Sequence, residues 1–306
     1  MKIVNNITMR RLLCLVLFLP GCFFSQENSV NQENAKKIKV VFIAGKDSHA
    51  LGCHEHTLGC QLLAKKIKEG LPQIEPVVVL GGWPKDESVF EGAKSVVIYC
   101  DGGKRHVMNS HLETMEKLIK NKVGIVCLHY GVEVIKGSES SKTMLKATGG
   151  YFETDWSVNP HWEADFKSLS KHPITNGVNS FKILDEWYFN MRFVEEMKGI
   201  SPILSAVPPA STVERRDGAH SGNKHVREMV ARGDKQHVGW AYTRSDGGRG
   251  FGFTGGHFHK NWENDDFRKV VLNAIAWSAN VDIPEKGVVT SAFEVDLSAS
   301  PKKKKK

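Results

Sequence analysis

The sequence predicts an α/β protein, one large domain built on a doubly wound, mostly parallel sheet in three layers. Three observations predict it. Short apolar, β-branched runs bounded by glycines recur along the chain, as strands buried on both faces do. Stretches with apolar residues at helical spacing fall between them, and that alternation gives right-handed crossovers onto a parallel sheet. The most uniform run, Gly124-Ile125-Val126-Cys127-Leu128, reads as a central strand that ends at His129-Tyr130-Gly131, where the backbone must turn. In open α/β sheets the carboxyl ends of the strands form the crevice for ligands, so topology puts His129 at the mouth of a site. A strand-end histidine bonded to a neighbouring loop is the plainer alternative.

Residues 38–45 read as the first strand. The loop after it holds Lys46-Asp47-Ser48-His49-Ala50-Leu51-Gly52-Cys53-His54-Glu55-His56, three histidines within eight residues in a chain that has 13. Leu58, Leu62, Ala64 and Ile67 then give an amphipathic helix over 57–68. Strands follow at 76–80 and at 95–100, the latter closing on Asp101-Gly102-Gly103. Leu112, Met115, Leu118 and Ile119 predict a helix over 107–121 that leads to the His129 strand. Beyond Gly149-Gly150 the pattern loosens into shorter strands and loops over 156–165 and 181–193, rich in tryptophan and tyrosine. The second of these contains Asp185-Glu186-Trp187-Tyr188. Carboxylates beside flat rings suit a sugar, whose C–H faces stack and whose hydroxyls donate, and they also suit an ordinary half-buried strand. A strand at 202–207 precedes a glycine-containing, charged excursion over 208–235, of the length kept for function or left mobile. Strands at 237–242 and 250–254 lead into Gly255-Gly256-His257-Phe258-His259-Lys260-Asn261-Trp262, and a helix with a broad apolar face closes the domain over 265–279.

A length of 306 residues with 41% apolar and 25% charged content supports one large domain or two small ones. The formal charge of +8 resides in the ends: Lys302 to Lys306 carry five of it and Lys2, Arg10 and Arg11 the other three. The body between is neutral, which removes the basic footprint that a nucleic acid requires. Gly247-Gly248-Arg249-Gly250 lacks dinucleotide-fingerprint spacing, so no nucleotide is expected. Residues 1–26 read as an export signal, with Lys2, Arg10 and Arg11 ahead of an apolar run, 12–19, too short to span a bilayer. Leu19-Pro20-Gly21-Cys22 resembles a lipobox in which Cys22 is lipidated, Pro20 being unusual there, and later cleavage by the ordinary signal peptidase stays open. The expected protein is therefore exported, periplasmic or on the cell surface, and touches membrane through a lipid anchor only. Residues 27–37 form a polar tether, 38–285 the domain, and 286–306 a tail. Cys100 and Cys127 close strands as small buried hydrophobes, a Cys53–Cys60 disulfide is open, and no CxxC pair argues for structural zinc.

Three strand ends thus bring histidines to one sheet edge: His49, His54 and His56 after the first, His129 after the central one, His257 and His259 after the last. Here the chain resembles the ThuA-like, or trehalose-utilisation, family within the class I glutamine amidotransferase-like superfamily, whose fold is flavodoxin-like. The resemblance rests on Ser48-His49 with His54-Glu55-His56, Gly59-Cys60-Gln61-Leu62-Leu63-Ala64-Lys65, Cys127-Leu128-His129, His172-Pro173-Ile174-Thr175, Asp185-Glu186-Trp187-Tyr188, the stretch from Gly248-Arg249-Gly250 to His257, and Leu272-Asn273-Ala274-Ile275-Ala276-Trp277. It implies carbohydrate catabolism and the processing of keto-disaccharides or glycosides. Glutamine amidotransferases carry a cysteine nucleophile at the strand-to-helix turn. This chain has His129 there, with Cys127 inside the strand, so thiol-based amide hydrolysis is not expected.

Acid–base or metal chemistry remains. His129, His257 and Glu186 form a catalytic set that also suits zinc, iron or manganese. His49, His54, His56, Tyr130, Asp185, Trp187, His259 and Trp262 are the expected substrate contacts, and the ligand is a small-molecule carbohydrate. Two other readings stay open: a non-catalytic carbohydrate-binding surface lipoprotein, and a remnant hydrolase scaffold used for interaction. The sequence leaves a homo-oligomer open.

Overall fold

A computed structural model describes residues 37–302. The export segment with Cys22 and the last four lysines lie outside them. In chain order the elements are β1 (Ile38–Ala44), α1 (His56–Gly70), β2 (Ile74–Val79), β3 (Ala93–Tyr99), α2 (Leu112–Lys120), β4 (Gly124–Leu128), α3 (Glu139–Thr148), β5 (Gly150–Tyr151), β6 (His161–Phe166), β7 (Phe181–Glu186), β8 (Arg192–Phe193), β9 (Ile200–Ala206), α4 (Lys224–Ala231), β10 (Gln236–Thr243), β11 (Arg249–Phe253) and α5 (Asp265–Ser278).

Seven strands pair in the order β2-β1-β3-β4-β11-β10-β9. β2, β1, β3, β4 and β11 run parallel, and β10 is antiparallel to both β11 and β9. The period of two along each strand divides the core between two faces. Val40, Phe42, Val97, Tyr99, Val126 and Leu128 meet α1 and α5 on one side. Val41, Ile43, Val96, Ile98, Ile125 and Cys127 meet α2 and α3 on the other. This is the three-layer α/β architecture that strand–helix alternation predicts, closed at one edge by an antiparallel pair. α5 is the most deeply set helix, capped by the Asn264 side chain accepting from Phe267 N at 2.9 Å. At Gly124 the chain passes so near α5 that a Cβ would meet Ser278 O at 2.1 Å.

Some expectations shift. The helix expected over 107–121 starts only at Leu112, because the preceding turn is held by the His106 ring, whose Nε2–H donates to Gly131 O at 3.0 Å. α3 and α4 were not anticipated. α3 ends on Gly149 at φ 74, a left-handed cap that supplies the stop signal. α4 lies inside the 208–235 excursion and begins at the Asn223 cap. β6 and β7 form a separate hairpin in which His161 pairs with Glu186. The segment expected as a tail packs on the body: Val288 is buried, and the Lys66 ammonium donates to Ser291 O and Oγ at 2.8 and 2.7 Å. Cys53, Cys60, Cys100 and Cys127 are free thiols.

Candidate functional site

The chain runs from β1 out to the edge strand β2 and returns to β3 on the other flank of β1, so the sheet's switch point lies between β1 and β3. The loops after those strands meet there: Ser48 Oγ donates to Asp101 Oδ1 at 2.6 Å, and His54 Nδ1 stands 3.2 Å from the same oxygen. The loop after β11 joins them through backbone pairing. His54 N donates to His257 O at 3.0 Å, His259 N to Gly52 O at 2.8 Å, and Cys53 bridges to Phe258. From the hairpin, Asp185 accepts from Gly256 N at 2.8 Å and His257 N at 3.0 Å, which brings Glu186 against the same loop.

Four donor groups converge as a result: His54, His129, Glu186 and His257, their ligand atoms all within 4.8 Å of one another. His54 Nε2 lies 3.0 Å from His129 Nε2 and 3.0 Å from His257 Nδ1. Glu186 Oε2 lies 3.4 Å from His129 Nε2 and 3.1 Å from His257 Nδ1. The other nitrogen of each ring decides what these contacts are. His129 Nδ1 faces Thr254 O at 2.8 Å, and a carbonyl only accepts, so Nδ1 carries a proton and, whenever the ring is neutral, Nε2 is the nitrogen with the free lone pair. His54 Nδ1 faces the Asp101 carboxylate, which places its proton there and leaves its Nε2 bare as well. With both rings neutral, the two lone pairs 3.0 Å apart repel unless a proton or a metal cation is held by them.

The backbone is shaped to this end. His49, His54 and His129 have φ 62, 48 and 51, in the left-handed region that residues with a Cβ avoid unless their surroundings hold them there. His129 opens a 3₁₀ turn, His129–Val132, immediately after β4.

Electrostatics follow the burial. Glu186 is held below the usual carboxylate range: burial opposes this, but the hydrogen bonds and charges of His129 and His257 prevail. Burial drives His54 far down, against the pull of Asp101, so the ring is neutral. Burial would lower His257 too, yet the Cys53 side chain hydrogen-bonded to its ring and the Glu186 carboxylate raise it to about 9. The cluster therefore favours positive charge at its centre. Atoms coordinating a four-coordinate ion through bonds of about 2.0–2.1 Å stand about 3.3 Å apart. Four of the six separations here are 3.0–3.4 Å and all six are within 4.8 Å, so the donor set is close to the spacing that one divalent ion requires.

Of the residues expected as substrate contacts, His54 joins the donors. His49 is exposed and lies over the His54 ring at a centroid distance of 3.7 Å, and half-buried Tyr130 flanks the same ring at 5.8 Å. The others are corrected by their burial. Trp187 and Trp262 are core side chains at 0% exposure, packed on Phe267, because the hairpin and α5 close over them. Asp185 is fully buried and spends its carboxylate on the backbone that presents His257. His56 lies beneath the cluster, donating from Nδ1 to Lys46 O at 2.9 Å, and His259 is buried facing α1. Cys127 is buried and its thiol pushed up by that burial, which leaves no nucleophile there.

Several site groups escaped sequence reasoning. Tyr188 Oη donates within reach of both His129 Nε2 at 3.2 Å and Glu186 Oε2 at 3.3 Å. Asn159 Nδ2 donates to Glu186 Oε1 at 3.1 Å, and half-exposed His161 stands 4.0 Å from that oxygen. His220, from the excursion, binds buried Glu133 at 2.9 Å, and Arg215 donates to Asn159 Oδ1 at 3.0 Å. Asp101, an acid at a strand end before two glycines, carried a legible signal. His161 carried one only through its register opposite Glu186.

A family model described as "ThuA: Trehalose utilisation" matches residues 85–278, well over half of the chain. It takes in His129, Glu186 and His257 but not His54. No curated protein matches. Among solved structures, a ThuA-like protein of Bacteroides uniformis superposes with a TM-score of 0.58 over 82% of this chain and 94% of its own, at 14% identity. A ThuA-like protein of Parabacteroides merdae gives 0.50 over 86% and 98%, at 15% identity. A glutamine amidotransferase of Thermotoga maritima gives 0.43 over 79% and 98%, at 10% identity. At these identities, the likeness to the first two is one of fold.

Proposed function

The chain belongs to the ThuA, trehalose-utilisation, family, and from that premise we propose that it is an exported carbohydrate-processing enzyme whose His54, His129, His257 and Glu186 hold a divalent metal ion. The observation that carries the reading is the convergence of His54 Nε2 and His129 Nε2, 3.0 Å apart, with a third imidazole and a carboxylate facing them. Three nitrogens and one oxygen of borderline softness suit zinc, iron or manganese. When bound, such an ion supplies Lewis-acid polarisation of a sugar oxygen.

The chain's own residues supply the rest. His49 and His161 stand beside the cluster outside the four-donor set. Burial lowers both below the ordinary imidazole value, more than neighbouring carboxylates raise them, so both are neutral bases near pH 7. Either accepts a proton from a sugar C–H or hydroxyl presented at the open side. A keto-disaccharide or keto-glycoside is the favoured substrate, because a carbonyl acidifies the adjacent C–H and makes elimination or isomerisation accessible to such a base. Tyr130 offers a hydroxyl at the rim, and Asn159 fixes the second oxygen of Glu186. Export is supported by the basic and apolar pattern of residues 1–26.

Elemental analysis of the purified protein, paired with turnover of a keto-glycoside before and after chelation, tests this. Close to one ion per chain, with activity lost on chelation and regained on adding metal, is the expected result. Protein that binds no ion, or that returns the sugar unaltered as a binding protein would, overturns it.

A further inference from the structure

Glu55 joins the donor loop to α1 and is fully buried. A carboxylate in that position persists only if its oxygens are satisfied. Oε1 accepts from Gly52 N at 2.8 Å and pairs with Lys302 Nζ at 3.1 Å, and Oε2 accepts from Ser300 Oγ at 2.7 Å. Two of its three partners therefore come from about 250 residues away, at the far end of the described chain. Lys302 also donates to Ala50 O at 3.3 Å and to Cys53 O. Those carbonyls belong to the loop that carries His54, and Cys53 is also bridged to Phe258, the neighbour of His257.

The arriving segment has anchorage of its own. Val288 N donates to Asn273 Oδ1 at 2.8 Å, Lys66 Nζ to Ser291 O at 2.8 Å, and Val295 N to Glu263 Oε1 at 2.8 Å. The strap is thus tied to α1, α5 and the turn before α5, and its end is free to brace the loop. His54 needs bracing, since its φ of 48 is kept only where the surroundings over-determine it. The donor loop and the strap both fall outside residues 85–278, the stretch that the family model matches.

We infer that the strap, residues 288–302, is a positioning element of the donor cluster: Ser300 and Lys302, acting through Glu55 and the Cys53 carbonyl, hold His54 in its ligating conformation. The metal arm of the test rests on the proposed centre, and a second arm does not. In the full chain, the pair Ser300→Ala and Lys302→Ala is compared with Lys302→Arg. Amide hydrogen exchange over residues 50–56 of the chelated protein is expected to rise roughly tenfold in the alanine pair. Zinc affinity by chelator competition is expected to fall roughly 10–100-fold, the range seen when an outer support is removed, and to recover largely in the arginine variant. Unchanged exchange over 50–56 overturns the inference, as does faster exchange with undiminished zinc affinity. If the unaltered chain binds no zinc, the proposed centre fails and exchange alone decides the strap. If the alanine pair fails to fold, Ser300→Ala by itself carries both measurements.

Discussion

Two groups of buried histidines stand near the carboxyl edge of the sheet. His54 and His129 each commit one nitrogen to a partner outside the cluster, the Asp101 carboxylate and the Thr254 carbonyl, and together with His257 they aim a nitrogen at a shared point. His56, His106 and His259 are as deeply buried, yet their nitrogens do not converge. His56 and His106 donate to the nearby carbonyls of Lys46 and Gly131, and burial lowers all three to about 4. Burial alone therefore makes a neutral core ring. A metal site needs, in addition, acceptors such as Asp101 and the Thr254 carbonyl that hold the proton on the far nitrogen, so that the lone pairs meet.

The largest effect expected from this contrast falls on His129. His129→Asn, chosen because asparagine tolerates the left-handed backbone, should abolish stoichiometric zinc binding and lower turnover roughly 10²–10⁴-fold. A variant that still titrates with one tight ion would erase the distinction between the groups.

The second group should be seen in acid. Each of its rings has a folded pKa below its unfolded value of 6.5, so the unfolded chain takes up the protons first. Stability is then full above pH 6.5 and falls as pH drops from 6.5 toward 4, by about 1.4 kcal/mol per unit for each ring. Urea unfolding of chelated protein at pH 7, 6 and 5 measures this, and a flat profile would contradict it. His54, lowered by burial too, adds to the same loss, whereas His257, raised to about 9, contributes fully below 6.5 and fades only as pH climbs through 9.

Asp101→Asn separates geometry from ligation. Asn keeps the shape but weakens the acceptor that fixes the His54 tautomer, and zinc affinity should fall roughly 10–100-fold with the fold intact. Unaltered affinity in a chelator competition would show the carboxylate to be incidental. The smallest effect belongs to His259→Asn, which should cost about 1–2 kcal/mol of stability and leave zinc affinity within roughly threefold. A loss of affinity as large as that from Asp101→Asn would move His259 into the first group.

The strands were legible because uninterrupted Val/Ile runs such as 96–98 and 125–126 suit little else than a sheet covered on both faces. α5 was legible because Phe267, Val270, Val271 and Ile275 repeat at helical spacing. α3 and α4 were not, since short polar helices owe their form to the surfaces they cover rather than to their own pattern. Within the site, topology alone brought His129 and His257 to one edge, and the aromatic segment named Glu186 without showing which neighbours it would face.

Strand ends fix where a backbone emerges, and that much of this protein was written in local pattern: the layers, the parallel core and the edge at which imidazoles gather. Which of those imidazoles point together was decided by contacts between residues far apart in the chain, His129 with a carbonyl 125 positions away and His54 with a ring 203 positions away. A side chain's direction and tautomer depend on φ at its own position and on acceptors supplied by other strands, and neither is encoded within the short windows that determine a strand or a helix. The same reason moved Trp187, Trp262 and Asp185 from an expected sugar surface into the core and its supports.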